Sequence, residues 1–303
     1  CIPCMAQPGK KVKEKRTYNN PVIDYSLPDP TIIKADDGYF YLYATEDIRN
    51  LPIHRSANLV DWEFVGTAFK IGDKYVLYYA NSSWGEEHTN GIGIAWSLRP
   101  EGPFTDAGKL FLSDEIEVMN SIDAFYMEEN GRKYLFWGSW HGLWGVELTD
   151  DGLALQPNTS KIPIAGNGYE AGLLHKHGDY YYLFASTGSC CEGLKSTYTT
   201  VVGRSKNLFG PYVNRKGELM LSNHHEVVIE KNKDFVGPGH NSQLVTDDAG
   251  NDWIFYHGVN VKNPEGRVLM MSKIVWEDGW PTVENSSPAV TATAPYFKSQ
   301  YKN

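Results

Sequence analysis

Asp37-Gly38-Tyr39-Phe40-Tyr41-Leu42-Tyr43-Ala44 comes back four more times along this chain. The further copies are Gly72-Asp73-Lys74-Tyr75-Val76-Leu77-Tyr78-Tyr79-Ala80, Gly131-Arg132-Lys133-Tyr134-Leu135-Phe136-Trp137-Gly138, Gly178-Asp179-Tyr180-Tyr181-Tyr182-Leu183-Phe184-Ala185 and Gly250-Asn251-Asp252-Trp253-Ile254-Phe255-Tyr256-His257. Each copy is a Gly, Asp or Asn turn feeding an aromatic and aliphatic run, the pattern of a hairpin turn entering a buried strand. Aromatic and β-branched residues suit a pleated surface packed on both sides, and a small residue closing the run lets backbones approach.

The unit extends in both directions. Ahead of four copies lies a short strand-like segment: Pro30-Thr31-Ile32-Ile33, Ala124-Phe125-Tyr126-Met127, Ala171-Gly172-Leu173-Leu174 and Ser242-Gln243-Leu244-Val245. Behind them come two more short runs, as in Val202-Gly203-Arg204-Ser205 followed by Gly210-Pro211-Tyr212. Four short antiparallel strands per unit, five times over, predict an all-β five-bladed β-propeller. The turn glycines fall at 38, 72, 131, 178 and 250, and the first interval is the shortest. Only Thr67-Ala68-Phe69-Lys70-Ile71 precedes Gly72. The second blade is therefore expected to lack its first strand.

The 303 residues show no linker, no low-complexity tract and no helical period sustained over three turns. Residues 21–303 are assigned to the propeller and residues 1–20 to an N-terminal extension. A net charge of -9 disfavours a nucleic-acid partner, because phosphate binding needs a basic face. No run approaches the ~20 apolar residues of a membrane span. Cys1-Ile2-Pro3-Cys4 leads into the basic stretch Lys10-Lys11-Val12-Lys13-Glu14-Lys15-Arg16. It reads as a processed end, left by a cleaved signal peptide or carrying a lipid anchor at Cys1, or else as a cloning artefact. The first two imply a secreted, periplasmic or cell-surface bacterial protein. Cys190 and Cys191 are adjacent, and adjacent cysteines rarely bridge each other without strain. They are expected to be reduced or unusual, with a bridge to Cys1 or Cys4 left open.

Chemistry enters at the starts of the innermost strands. Asp29 lies in Ser26-Leu27-Pro28-Asp29-Pro30, Asp123 in Asn120-Ser121-Ile122-Asp123-Ala124, Glu170 in Tyr169-Glu170-Ala171, and His240 in Gly237-Pro238-Gly239-His240-Asn241. Taken singly, Asp29 is a turn aspartate between prolines and Glu170 a solvated loop carboxylate. Taken together, all four precede their turn glycine by eight to ten residues. Propeller symmetry then turns them towards one axis at one level. Like charges gathered in a funnel make a poor core, because they repel and burial penalises ionisation. They make a good active site. Glycoside hydrolysis needs a protonated acid at the leaving oxygen and a second carboxylate for water or the anomeric carbon, and a third can hold the acid's pKa up. Trp84, Trp137, Trp140, Trp144, Tyr169 and Tyr198 sit in or near inter-strand loops where flat rings stack on sugars, although most aromatics must fill the wedges between blades.

Asp29 in Leu-Pro-Asp-Pro, Asp123 in Asn-Ser-Ile-Asp-Ala and Glu170 in Tyr-Glu-Ala, spaced over five blades, resemble glycoside hydrolase family 43 across nearly the whole chain. Within it, Ser189-Cys190-Cys191-Glu192-Gly193 with Ser196-Thr197-Tyr198, and Gly237-Pro238-Gly239-His240, are similar to the endo-1,5-α-L-arabinanases. The resemblance implies an inverting hydrolase of arabinan, with Asp29 as general base, Glu170 as general acid and Asp123 orienting the acid and raising its pKa. It places Trp84, Trp140, Tyr169, Cys190 and Tyr198 against a polysaccharide or oligosaccharide substrate. It makes His240 a partner of calcium or a similar ion held through water.

Two departures stand out. Family members carry a Trp-Ala-Pro-Asp/Glu stretch entering blade two, whereas here Phe69-Lys70 runs directly into Ile71-Gly72. Gly172 also stands after Ala171 where arabinanases tend to have another residue, a change that would turn preference towards xylan or arabinoxylan side chains. The retaining fructan and sucrose hydrolases share the five-bladed shape, but their Asn-Asp-Pro-Asn, Arg-Asp-Pro and Glu-Cys motifs are absent. A sugar-binding propeller without catalysis is the reading from another class, favoured by the missing blade-two wall and opposed by the three intact carboxylates.

Overall fold

The computed structural model describes residues 16–45, 52–67, 75–83 and 85–298. Five antiparallel sheets follow one another along the chain. Blade 1 is Thr31–Lys34, Phe40–Tyr43, Pro52–Ser56 and Glu63–Thr67; blade 3 is Phe125–Glu129, Arg132–Trp137, Leu143–Leu148 and Ile162–Ala165. Blade 4 is Glu170–His177, Tyr180–Thr187, Thr199–Ser205 and Glu226–Ile229. Blade 2 has three strands among the described residues, Tyr75–Asn81, Gly91–Ser97 and Thr105–Leu112. The expected four per blade is not met there, and the segment 68–74 that would enter this blade lies outside the described residues.

The recurring stretch is the second strand of each blade, and its alternation builds the ring. Successive side chains of a strand point to opposite faces. Phe40 and Leu42 therefore pack with Trp253, Phe255 and Met271 of blade 5. Tyr41 and Tyr43, from the same strand, pack with Ala95 and Phe104 of blade 2. Leu135 and Trp137 face Ile92 and Phe111 of blade 2, while Tyr134 and Phe136 face Leu183, Ala185 and Val201 of blade 4. Tyr182 and Phe184 meet Ile254 and Tyr256. Five apolar wedges thus join five blades in a closed circle. This is why the runs read as continuously apolar and aromatic, as strands buried on both faces do.

Both ends of the chain complete blade 5. Its sheet runs Phe235–Gly239, Asp252–Asn260, Asn263–Glu277 and then Ile23–Ser26 from near the N-terminus, with Val245–Thr246 also on the second strand. Thr17–Asn19 pairs with Thr291–Thr293, and Asn20 exchanges amide hydrogen bonds with the backbone of Met271 (2.8 and 2.9 Å). Tyr18 is buried at 3% exposure, so residues 17–20 belong to the packed fold and not to a separate extension. Helix among the described residues amounts to Ser113–Ile116 and three short 3-10 turns. No helix among them is long and apolar enough to cross a membrane.

Candidate active site

One backbone kink, used in four blades, delivers the axial groups. The Pro28 carbonyl accepts the Thr45 N–H (3.0 Å) and the Ile122 carbonyl the Gly138 N–H (2.9 Å). Glu170 pairs with Ser186 and Gly239 with His257 in the same way. The residue that follows each is left-handed: Asp29 at φ 54, Asp123 at 61, Ala171 at 55 and His240 at 51. Side chains there carry strain that the surroundings must hold, and such positions gather at functional sites. The expected common level is thus corrected in one blade. Asp29, Asp123 and His240 are equivalent, but Glu170 stands one residue earlier, where the other blades have Pro28, Ile122 and Gly239. In blade 5 the inner edge is split into Phe235–Gly239 and Val245–Thr246, with His240 between them.

The groups converge at close range. Asp29 Oδ1 lies 3.2 Å from His240 Nδ1, 3.1 Å from His257 Nδ1 and 3.1 Å from Arg267 Nη1. Asp123 Oδ1 lies 4.0 Å from His240 Nε2, and Asp123 Oδ2 accepts the Ala171 N–H at 3.1 Å. The Ser139 hydroxyl donates to Glu170 Oε2 at 2.9 Å, and the Ser186 hydroxyl accepts the His240 N–H at 2.8 Å.

Charge then divides the site into two halves. Burial alone would raise Asp29, but the charge of His240, the hydrogen bond and charge of His257 and the charge of Arg267 outweigh it and hold Asp29 well below the usual carboxylate range. Burial pushes Asp123 up to about 7, with His240 opposing and the charges of Glu170 and Asp29 assisting. His240 is raised against its own burial by Asp29, Asp123 and Glu170, whereas burial brings His257 down to about 4. One side of the axis keeps an ionised carboxylate. On the other side Asp123 keeps a proton to near neutrality.

The aromatic residues divide too. Tyr169 is 0% and Tyr198 1% exposed. Tyr169 bonds His225 Nδ1 through its hydroxyl (2.9 Å), and Tyr198 stacks on His257 with centroids 5.5 Å apart. Both rings are covered, so neither face is open to a sugar; Tyr198 instead braces the histidine that touches Asp29. Trp137 is buried and donates to Ser121, and Trp144 donates to the His141 carbonyl. Trp140, next to Ser139, is half-buried, and Trp84 lies outside the described residues. Cys190, half-buried on the loop after Tyr180–Thr187, is bonded to Cys191, which is the unusual alternative and not the reduced one. Cys1 lies outside the described residues. Gly172 has a packing reason: a Cβ there would come within 2.9 Å of the buried Leu143 side chain.

Sequence reasoning missed His257, Arg267 and Ser139. For His257 a signal existed. Four copies of the repeat end on Ala44, Ala80, Gly138 and Ala185, and the fifth ends on a histidine.

Residues 18–281 match the profile of glycosyl hydrolases family 43, and the chain belongs to that family. A probable arabinan endo-1,5-α-L-arabinosidase A of Aspergillus flavus is 28% identical over 295 residues, covering 85% of this chain and 91% of that protein. An extracellular exo-α-(1→5)-L-arabinofuranosidase of Cellvibrio japonicus is 29% identical over 303 residues, covering 84% and 86%. The solved structure of Cellvibrio cellulosa α-L-arabinanase complexed with arabinohexaose superposes with a TM-score of 0.77 at 27% identity, covering 86% of this chain and 96% of that one. The protein is a glycoside hydrolase on a five-bladed propeller.

Proposed function

We propose that this protein hydrolyses α-1,5-L-arabinofuranosyl linkages within arabinan, with inversion at the anomeric carbon. The observation that carries the reading is the asymmetry of Asp29. His240, His257 and Arg267 all engage Oδ1, and among the described residues Oδ2 has no partner. An ionised carboxylate pinned by one oxygen is free to accept a proton from water through the other. As that water attacks the anomeric carbon, the bond to the leaving sugar breaks, its electron pair goes to the glycosidic oxygen, and Glu170 supplies the proton. Asp123, kept protonated to about 7, holds that half of the site as a proton reservoir. Arabinan is named for the arabinanase relatives and for the sequence around Cys190 and His240. A water between base and sugar requires carboxyl groups ~6.5 to 9.5 Å apart, against ~5 to 5.5 Å for retention.

Calcium or a similar ion belongs to the same reading. Among the described residues, His257 Nε2 and the Asn241 Oδ1 that adjoins His240 are buried atoms without hydrogen-bond partners, and the acidic axis fits a cation completed by water. His240 would hold it as a neutral imidazole, and the ion would supply positive charge that favours ionised Asp29. The extracellular relative supports a secreted or cell-surface location.

Linear 1,5-α-arabinan with a reducing-sugar readout tests the activity, and proton NMR of the first product tests its stereochemistry. Oligosaccharides with an inverted anomer are expected first, and Glu170→Gln should lower kcat by about 10²–10⁴-fold. A retained anomer would remove Asp29 as base, and arabinose alone in the first minutes would replace internal cleavage by exo action. Metal analysis and loss of activity on chelation check the ion.

A further inference from the structure

We propose that His175, His177 and Asp252 form a second metal site, for a zinc-class divalent cation, that clamps blade 4 to blade 5 at the ends of the strands remote from the catalytic carboxylates. The ligand atoms of the three residues all lie within 4.8 Å of one another. His175 and His177 are two apart on Glu170–His177, so both imidazoles leave the same face of that strand. Asp252 opens Asp252–Asn260 of the neighbouring blade.

The surroundings are arranged as a ligand shell would require. Asp252 is oriented by two donors, the Thr246 hydroxyl on Oδ1 (2.7 Å) and Trp276 Nε1 on Oδ2 (2.9 Å), which leaves a lone pair on each oxygen. Hydrogen bonds of this kind hold ligating carboxylates in place in metal sites. The Trp276 ring stacks on His177 with centroids 3.7 Å apart and planes 11° apart, and lies 6.0 Å from His175, fixing the imidazole planes. Among the described residues neither imidazole makes a hydrogen bond or an ion pair. Two imidazoles and one carboxylate suit zinc, or copper and nickel in its place, better than calcium, which prefers oxygen ligands. Bond lengths of ~2.0 to 2.2 Å place tetrahedral ligands about 3.3 Å apart, so ligand atoms that lie within 4.8 Å of one another would close further on the ion, with a water in the fourth position.

Each clamped strand has its other end in the active site. Glu170 heads the strand that ends at His177, and His257, which touches Asp29, is five residues beyond Asp252. At ~3.3 Å per residue the ion sits roughly 17–23 Å from those groups, so its role is to pin two blades and not to touch substrate.

The test uses the full chain, stripped with a chelator and titrated with zinc chloride against a chromogenic competitor, beside His177→Ala and Asp252→Asn. The latter keeps an acceptor for Trp276, so its metal-free Tm should stay within a few degrees of the parent. The parent is expected to bind one more equivalent than either variant, or to bind that equivalent at least tenfold more tightly, and to gain Tm on zinc addition that both variants lose. Cobalt(II) should give visible absorption in the parent alone. Equal stoichiometry and affinity in all three proteins, or an equal Tm response, would overturn the site and leave these rings as an aromatic patch between blades.

Discussion

Blade 4 and blade 2 do the same architectural job by different means. In blade 4 the recurring strand, Tyr180–Thr187, is flanked on both edges and buried along most of its length. Its counterpart in blade 2, Tyr75–Asn81, forms an edge of the described sheet and is half-buried to exposed throughout. Yet blade 2 fills its two wedges, sending Ala95 and Leu77 against blade 1 and Ile92 and Phe111 against blade 3. The ring is therefore held by the apolar faces of the blades, and the innermost strands serve mainly to carry chemistry to the axis. Blades 1, 3, 4 and 5 supply Asp29, Asp123, Glu170 and His240; among its described residues blade 2 supplies no charged group to that set.

If faces hold the ring, truncating a face should cost far more in blade 4 than at the open edge of blade 2. Phe184, fully buried between blades 4 and 5, should lose about 3–5 kcal/mol on change to alanine. Leu77→Ala should lose about 1–2 kcal/mol, because a side chain still half in water surrenders less apolar area. Urea titration of both variants checks it. Equal losses would mean that blade 2 is packed as tightly as blade 4 and that the comparison fails.

The ring was legible in the sequence because its physics is local. Turn chemistry sets where each hairpin begins, and two-sided burial leaves continuous aromatic runs that recur. The three carboxylates were legible for a related reason: they open inner strands, and nothing in a core explains acids there. What decides their protonation was not legible. Asp29 meets His257 and Arg267 from 228 and 238 residues away, a juxtaposition made only when the last blade closes on the first. The one-residue offset of Glu170 rests on a left-handed Ala171, which no residue preference announces. The pairing of Cys190 with Cys191 was left open by the sequence, because a general reluctance of neighbours to bridge was set against a loop whose path was unknown.

The blades that carry charge to the axis also carry the penalty for burying it, and the described part of blade 2 is free of that penalty. Asp123 makes this measurable. Its pKa rises from 3.8 to about 7 on folding, so between those values the folded chain binds more protons than the unfolded one. Stability from this group is complete below the unfolded value and falls as pH climbs to about 7. Asp123→Asn removes the effect. Its Tm should match the parent near pH 4 and exceed it by at least about 2–4 °C at pH 7.5, while activity drops. His257 works in the opposite sense: a neutral ring with its pKa lowered to about 4 destabilises the fold as pH falls below about 6.5, in the parent and the variant alike. Comparing the two proteins at each pH cancels it. A variant less stable than the parent at pH 7.5 would mean that Asp123 is held ionised by His240.

The smallest effect is the one that tests whether blade 2 is scaffold alone. Asn90 precedes its second described strand, is 4% exposed, and donates its amide to Asn120 Oδ1 at 2.8 Å. Asn120, left-handed at φ 50 in the loop that leads to Asp123, points its own amide at the Ser139 carbonyl (3.4 Å), and the Ser139 hydroxyl donates to Glu170. A chain of hydrogen bonds thus runs from blade 2 through blade 3 to the acid in blade 4. Asn90→Ala breaks its first link, leaves the half-buried Asn120 Oδ1 without that donor and removes the acceptor of the Ser83 N–H, a loss of about 0.5–1.5 kcal/mol. If the chain positions Ser139, that loss should reach the transition state as a fall in kcat of roughly 3–10-fold with KM unchanged. A lower Tm with kcat unchanged would end the link, and blade 2 would then hold the ring closed without reaching the chemistry at its centre.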